Sequence, residues 1–382
     1  MKLNDLSLKI KIFSKRHDIC DILRDIPSHS EVSVDAGVCE KYILCMLKAA
    51  GYRAGQKTGK YLISTSPDNW TRPNMRLRET CELLELLARI MVEENIVSRA
   101  FGIWDECNKT IYRMKCILFP EKLFAHQLDL MITQKCSLKC ADCLNLMQYY
   151  KKPVNFEYKE IVDEIDALSQ IFDEIEQLHI LGGEPFMNQK IYEICQYAAT
   201  KENIKWIVVF SNGTIVPNKK ISYMNKKKTI FYLSNYQNEK QQLDLVEQTI
   251  VNQGLKCYRA SFDGGWLSHS GFNLKSITAE SMNTMFNGCG GRNCPTVLNG
   301  RIFYCEYLAN ATELHAIPFN DTNYVELHLD AKDEIKAYFS SKVAPLGCYY
   351  CDRPFKEKNC SHEMVPAGIQ VKEPLPYKTY ES

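Results

Sequence analysis

The 382-residue chain has no apolar run approaching the roughly 18 residues that a membrane span requires. Its formal net charge is only +1, so it lacks the electrostatic footprint of a protein that binds nucleic acid or an anionic membrane. The short basic runs at Lys219–Lys220 and Lys226–Lys228 read as solvated loop or helix ends. The opening segment, MKLNDLSLKIKIFSKRH, has no apolar signal-peptide region. No G-x-G-x-x-G fingerprint, internal repeat or low-complexity tract is present. Together these absences predict a cytoplasmic globular protein with no nucleic-acid and no membrane partner.

Cysteine is the exception, with 17 residues. In a reducing compartment these do not form a disulfide frame, and clustered cytosolic cysteines point to metal or redox chemistry. Cys136, Cys140 and Cys143 share one short loop with C-x3-C-x2-C spacing. Cys289, Cys294, Cys305, Cys348, Cys351 and Cys360 lie near the other end of the chain.

Between these clusters the sequence alternates regularly. LDLMIT reads as a strand entering the first cysteine loop, and KEIVDEIDALSQIF as a helix with Ile161, Ile165, Leu168 and Phe172 on one side. QLHILGGEP, KWIVVFSNGT, TIFYLSNY and LKCYRASF read as further strands, with helices over 188–200 and 240–253. Strand–helix alternation means βαβ units and a parallel sheet. The strands are too few for a closed eight-fold barrel, so the expected fold is α/β, a partial open TIM barrel of the (β/α)6 type. The predicted domains are a small N-terminal α/β domain over 1–125, Rossmann-like in outline and serving recognition or docking, the barrel over 126–262, and a cysteine-rich domain over 263–382. Within the first, 78–94 is an amphipathic helix burying Cys81, Leu84, Leu87, Ala88 and Met91. The segment 32–51 reads as strand, turn and helix, and SRAFGIWDEC as a strand ending near Asp105.

Three thiolates without a fourth ligand suit a 4Fe–4S cluster in which one iron stays free of protein. They suit a closed four-coordinate zinc cage poorly. A zinc knuckle completed by His126 or Asp142 is the alternative. The loop follows the C-terminal end of a parallel strand, where α/β barrels keep their active sites. C-x3-C-x2-C at this place resembles the radical S-adenosylmethionine superfamily. That resemblance implies a cluster on Cys136, Cys140 and Cys143, with S-adenosylmethionine filling the open iron and an external electron donor of flavodoxin or ferredoxin type. Where the family places an aromatic residue before the third cysteine, this chain has Asp142. Gly182, Gly183 and Glu184 of LGGEP resemble the family's Gly-Gly-Glu motif, which receives the cofactor's amino group. Ser211, Asn212, Ser234 and Asn235 end the next two strands, where the resemblance implies contacts to ribose or carboxylate; plain turns are the alternative. Arg259 is a candidate for the cofactor carboxylate, or for an ordinary ion pair. Cys257, if it points into the barrel, is a candidate hydrogen-atom donor, and otherwise a small core residue.

The C-terminal cysteines are similar to the auxiliary-cluster extensions called SPASM or twitch. The resemblance implies one auxiliary 4Fe–4S cluster on Cys305, Cys348 and Cys351, with Cys289 or Cys294 as the fourth ligand and Cys360 either spare or part of an unusual second site. A zinc ribbon is the alternative. The expected activity is reductive cleavage of S-adenosylmethionine to a 5′-deoxyadenosyl radical. The substrate is either a small molecule or sugar, oxidised or epimerised with the auxiliary cluster assisting electron transfer, or a ribosomally made peptide undergoing crosslinking or epimerisation. An electron carrier without catalysis is a third reading, and it leaves Gly-Gly-Glu unexplained.

Overall fold

The computed structural model describes residues 53–57, 60–64, 73–263, 265–267, 271–352 and 364–381. The chain divides into two compact units, Met1–Lys122 and Leu123–Ser382.

In the first unit, β1 (Arg53–Lys57) and β2 (Lys60–Ser64) form an antiparallel hairpin. Two helices follow, α1 (Pro73–Glu93) and α2 (Phe101–Leu118). Cys81, Leu84, Leu87, Ala88 and Met91 are all buried, as their helical spacing predicts. The strand expected to end near Asp105 is instead the first turn of α2. Trp104, Cys107, Ile111 and Met114 recur at three- and four-residue steps and are all buried, so helical periodicity overrides the β-prone look of Phe101 and Ile103. The Cys107 thiol donates to the Leu84 carbonyl at 3.6 Å, and Lys115 pairs with Glu85 at 2.6 Å, joining the two helices. The strand–turn–helix expected over 32–51 lies outside the described residues.

The second unit is mixed α/β around one open eight-stranded sheet. Its first part runs β3 (Phe124–Thr133), α3 (Tyr158–Ile171), β4 (Glu174–Gly182), α4 (Ile191–Ala199), β5 (Ile204–Ser211), β6 (Thr229–Asn235), α5 (Leu243–Asn252) and β7 (Lys256–Ser261). These five strands are sequential neighbours and parallel. Beyond a short β8 (Trp266–Leu267) come α6 (Ala279–Asn287), β9 (Thr296–Leu298), β10 (Arg301–Phe303), α7 (Glu306–Glu313), β11 (Tyr324–Glu326) and α8 (Lys332–Ser340). Strand β9 joins β3 in parallel, so it adds a sixth parallel strand to the barrel sheet, and β10 and β11 continue that edge antiparallel.

Strand side chains alternate between faces. Leu128, Leu130 and Ile132 of β3 pack in the main core with Ile161, Ile165 and Leu168 of α3 and Ile194 of α4. Intervening residues take the other face. There Asp129 Oδ1 lies 2.8 Å from His179 Nδ1, and the rings of Phe210, Tyr232 and Tyr258 follow one another at 4.6 and 5.3 Å. Helix α3 opens with a capping box between Glu157 and Glu160.

The last described stretch, 364–381, returns across the strand ends. Its β12 (Met364–Val365) pairs with β8, and further along Leu375 N donates to Gln148 O at 2.9 Å and Tyr380 N to His315 O at 2.8 Å.

Glu164 of α3 fixes the β9–β10 hairpin, accepting the Gly300 N–H at 2.6 Å. Burial pushes its carboxyl up from 4.5 to about 7, against the pull of that N–H. The folded state therefore holds a proton that the unfolded state has released, and stability falls as pH rises from about 4.5 to about 7, then levels. Thermal melts across pH 4.5–8 should show this loss in the wild type and a shallower one in Glu164→Gln, which keeps an acceptor for Gly300.

Candidate active site

The first cysteine loop sits where β3 ends against the end of β4. Parallel pairing continues past the strands: Gly183 N donates to Thr133 O at 3.0 Å and Glu184 N to Lys135 O at 2.8 Å. The glycines permit this approach. Gly182 has φ +148°, and a Cβ there would overlap the Thr133 carbonyl oxygen. A Cβ on Gly183 would overlap the Lys135 carbonyl and lie 2.8 Å from Cys136 Cβ. Asn145, within the loop, donates to Gly182 O at 2.9 Å and closes the junction from the other side.

Burial raises all three thiols of the loop. It takes Cys140 to about 12, with the neighbouring Cys143 pushing the same way and the Gln370 amide pulling back. Cys136 feels both other cysteines, and the Cys143 sulfur is met by the N–H groups of Asn145, Leu146 and Met147. A close, dry group of thiols that resists ionising alone suits a cationic iron–sulfur centre, because thiolates are the ligands and the metal's charge favours them. Among the described residues no three His, Cys, Asp or Glu side chains gather as a single ion requires. A cubane taking one thiolate per iron needs no such convergence. His126 is not near the loop: it lies on β3 seven residues before Thr133, roughly 23 Å away along an extended strand.

Glu184 is fully buried and turned towards the end of β5. Its carboxylate accepts Ser211 Oγ at 2.9 Å, Asn212 N at 2.8 Å and Phe186 N at 3.2 Å. Burial still lifts it to about 7. Three donors occupy most of the roughly four acceptor positions of a carboxylate, so Glu184 chiefly binds β4 to β5. Asn212 reaches the cysteine loop, its Nδ2 lying 3.2 Å from Ser137 Oγ and 3.5 Å from Cys136 Sγ. Gln241 ties this corner to β6, donating to Asn212 O at 2.5 Å and Ser234 O at 2.7 Å. Asn235 Oδ1 accepts Gln237 N at 3.0 Å in an Asx turn.

The structure thus brings Gly182, Gly183, Glu184, Ser211 and Asn212 to the thiol loop, with Ser234 beside them. Arg259 is elsewhere: it pairs with Asp244 at 2.5 Å and Glu247 at 3.8 Å on α5. Cys257 shares that helix-facing side and is buried in the main core. Both are odd-numbered on β7, opposite Tyr258, so neither points into the barrel.

A second thiol group lies in the same unit. Cys289, Cys305, Cys348 and Cys351 line one cavity, closed by Leu144, Gly291, Tyr307 and Leu308. Cys294 is not among its lining residues. Burial raises Cys305 and Cys348, and in each the Cys351 sulfur pushes the same way, while the Arg292 guanidinium pulls Cys348 down. Leu144 follows Cys143 directly, so one residue of this cavity's wall is supplied from beside the first cysteine loop. Sequence reasoning missed Leu144, Asn145, Gln241 and Gln370. Asn145 and Leu144 adjoin the motif, but Gln370 lies 230 residues from its partner Cys140 and carries no local signal.

Residues 130–234 match the Radical SAM superfamily model, a span holding the thiol loop, Gly-Gly-Glu, and the ends of β5 and β6. The chain carries a radical SAM domain, and proteins of that superfamily use a 4Fe–4S cluster and S-adenosylmethionine. Among solved structures it is similar to BtrN in complex with AdoMet and 2-DOIA (TM-score 0.39, 11% identity, 66% of this chain and 98% of that one). Native anSMEcpe with bound AdoMet is also similar (TM-score 0.38, 12% identity, 56% and 81%). So is the FeFe-hydrogenase maturase HydG from Carboxydothermus hydrogenoformans (TM-score 0.28, 15% identity, 49% and 50%). The comparison with curated proteins finds no match. Among the described residues no helix is long and apolar enough to cross a membrane.

Gly183→Ala should force the β4 turn off the Lys135 carbonyl, costing about 1–3 kcal/mol as overpacking does and displacing Cys136. Urea denaturation should register the loss. Arg259→Ala should cost no more than about 1 kcal/mol, the range of exposed ion pairs.

Proposed function

We propose that this protein is a radical S-adenosylmethionine enzyme with one auxiliary 4Fe–4S cluster, acting on a small-molecule or sugar-type substrate by oxidation or epimerisation. The observation that carries the reading is the four-cysteine cavity adjoining the three-cysteine loop through Leu144. Three thiols leave one iron free for a cofactor, whereas four close a cluster and leave it to electron transfer. Cys136, Cys140 and Cys143 would hold the first cluster, and Cys289, Cys305, Cys348 and Cys351 the second. When bound, the first cluster and S-adenosylmethionine supply a 5′-deoxyadenosyl radical that takes a hydrogen atom from the substrate.

The chain's own residues prepare that site. The side-chain-free backbone of Gly182 and Gly183 seats the β4 end directly against the cysteine loop, and that β4 end is the place where the cofactor's amino group would be received. Glu184 orients Ser211 and Asn212, and Asn212 steadies Ser137 and Cys136. The row of Phe210, Tyr232 and Tyr258 gives the barrel face an apolar lining. The electron donor is an external reductant of flavodoxin or ferredoxin type.

A peptide substrate is the second reading. Strands expected over 32–51 and near Asp105 weigh against a winged-helix peptide-recognition domain in the first unit. The segment near Asp105 is helix, and a β-hairpin precedes two long helices, which removes that part of the objection; 32–51 lies outside the described residues. Deuterium transfer from candidate substrates into 5′-deoxyadenosine separates the two: label from a sugar or other small molecule supports the first, label from a peptide the second.

Anaerobically reconstituted protein should bind about eight iron atoms, four for each cluster. Cys140→Ala should abolish formation of 5′-deoxyadenosine and leave about four iron atoms; Cys348→Ala with Cys351→Ala should likewise leave about four. A colourless wild-type protein carrying zinc at the 136–143 loop would refute the reading.

A further inference from the structure

The returning segment 364–381 does more than cover the strand ends. Between Gly368 and Val371 it lies antiparallel against the first cysteine loop: Ala141 N donates to Ile369 O at 2.7 Å and Val371 N to Lys139 O at 2.8 Å. Gly368 has φ +72°, and a Cβ there would lie 2.8 Å from Tyr236 Cβ, so the segment is seated tightly at the end of β6.

Gln370 projects from this seat onto Cys140. Its Oε1 accepts Lys139 N at 2.5 Å, while its Nε2 lies 2.7 Å from Gly368 O and 3.3 Å from Cys140 Sγ. These partners fix the amide. A main-chain N–H can face only the oxygen, and a carbonyl only the NH2 group, so the sulfur receives a donor. Cys140 is itself buried, so water has little access to compete for that sulfur.

We propose that Gln370 is a positioning residue for the first cluster, donating a hydrogen bond to the Cys140 thiolate that raises the cluster's reduction potential. The inference rests on the cluster assignment made under Proposed function. A donor at a ligand sulfur stabilises the more negative, reduced state, and hydrogen bonds to sulfur are among the means by which proteins set these potentials. An external reductant can then deliver its electron more readily.

The test is an EPR-monitored redox titration of the reconstituted full-length chain without S-adenosylmethionine. In Gln370→Leu the midpoint of the first cluster should move to more negative potential, while that of the auxiliary cluster stays in place as an internal reference. Gln370→Met is close in size, uncharged and without a donor to sulfur, and should shift the same midpoint in the same direction. If Gln370→Leu fails to hold its first cluster, Gln370→Met decides. Loss of first-site iron in Gln370→Met as well, with an unchanged circular dichroism spectrum, would overturn the tuning role and leave Gln370 a structural seat for the loop. Intact clusters with unchanged midpoints would overturn this inference alone. A wild-type chain that binds no cluster at the 136–143 loop would overturn the functional reading and this inference with it.

Discussion

The close approach of two backbones, at the end of β4 and in the loop after β3, is the constraint on which the rest of the site depends. Without side chains at Gly182 and Gly183, the N–H groups of Gly183 and Glu184 reach the carbonyls of Thr133 and Lys135. Sheet pairing is thereby carried one step beyond the sheet, into the residues that present Cys136. Everything at the strand ends is referenced to that junction. Glu184 leaves it pointing inward and organises β5, Asn212 returns from β5 to the cysteine loop, and Gln241 extends the connection to β6. A fully buried carboxylate is costly unless its oxygens are satisfied. Here the three groups that satisfy it come from two different strand ends, which turns a cost into a specification of geometry.

The two thiol groups are assembled in different ways. The first is open, built on three sulfurs from one loop of eight residues, Cys136 to Cys143. The second is assembled from distant segments, with Cys289 before β9, Cys305 at the start of α7, and Cys348 and Cys351 in one turn after α8. The added strands β9, β10 and β11 bring those segments together, because they continue the barrel sheet instead of forming a separate layer. The auxiliary cavity is therefore positioned by the same hydrogen-bonded lattice as the first loop.

Much of this architecture is legible in sequence where the signal is local and periodic. The continuous apolar run of β5, the alternating strand and helix segments from 124 to 261, and the stripe of α1 all declare themselves through spacing. The cysteine loop and Gly-Gly-Glu are legible for another reason: each compresses a chemical requirement into a few adjacent residues. What spacing does not convey is which side of a strand a residue takes. Arg259 and Cys257 are two apart, so their fates are tied, and the partners Asp244 and Glu247 on α5 draw Arg259 to the outside. The α2 segment misleads because Phe101 and Ile103 alternate at its start, and only the longer run to Met114 reveals the helix. Gln370 is beyond any local reading, since its role exists only once the chain has travelled through the auxiliary region and come back.

Leu144 stands at the meeting of the two thiol groups, next to Cys143 in the chain and in the wall of the four-cysteine cavity. Any preference that filling one site imposes on this side chain must be returned in equal measure by the other, since linkage between two binding events is reciprocal. With both proposed clusters in place, the order of iron delivery would alter the route but not the total free energy gained, and any coupling carried by Leu144 would be felt equally at either centre.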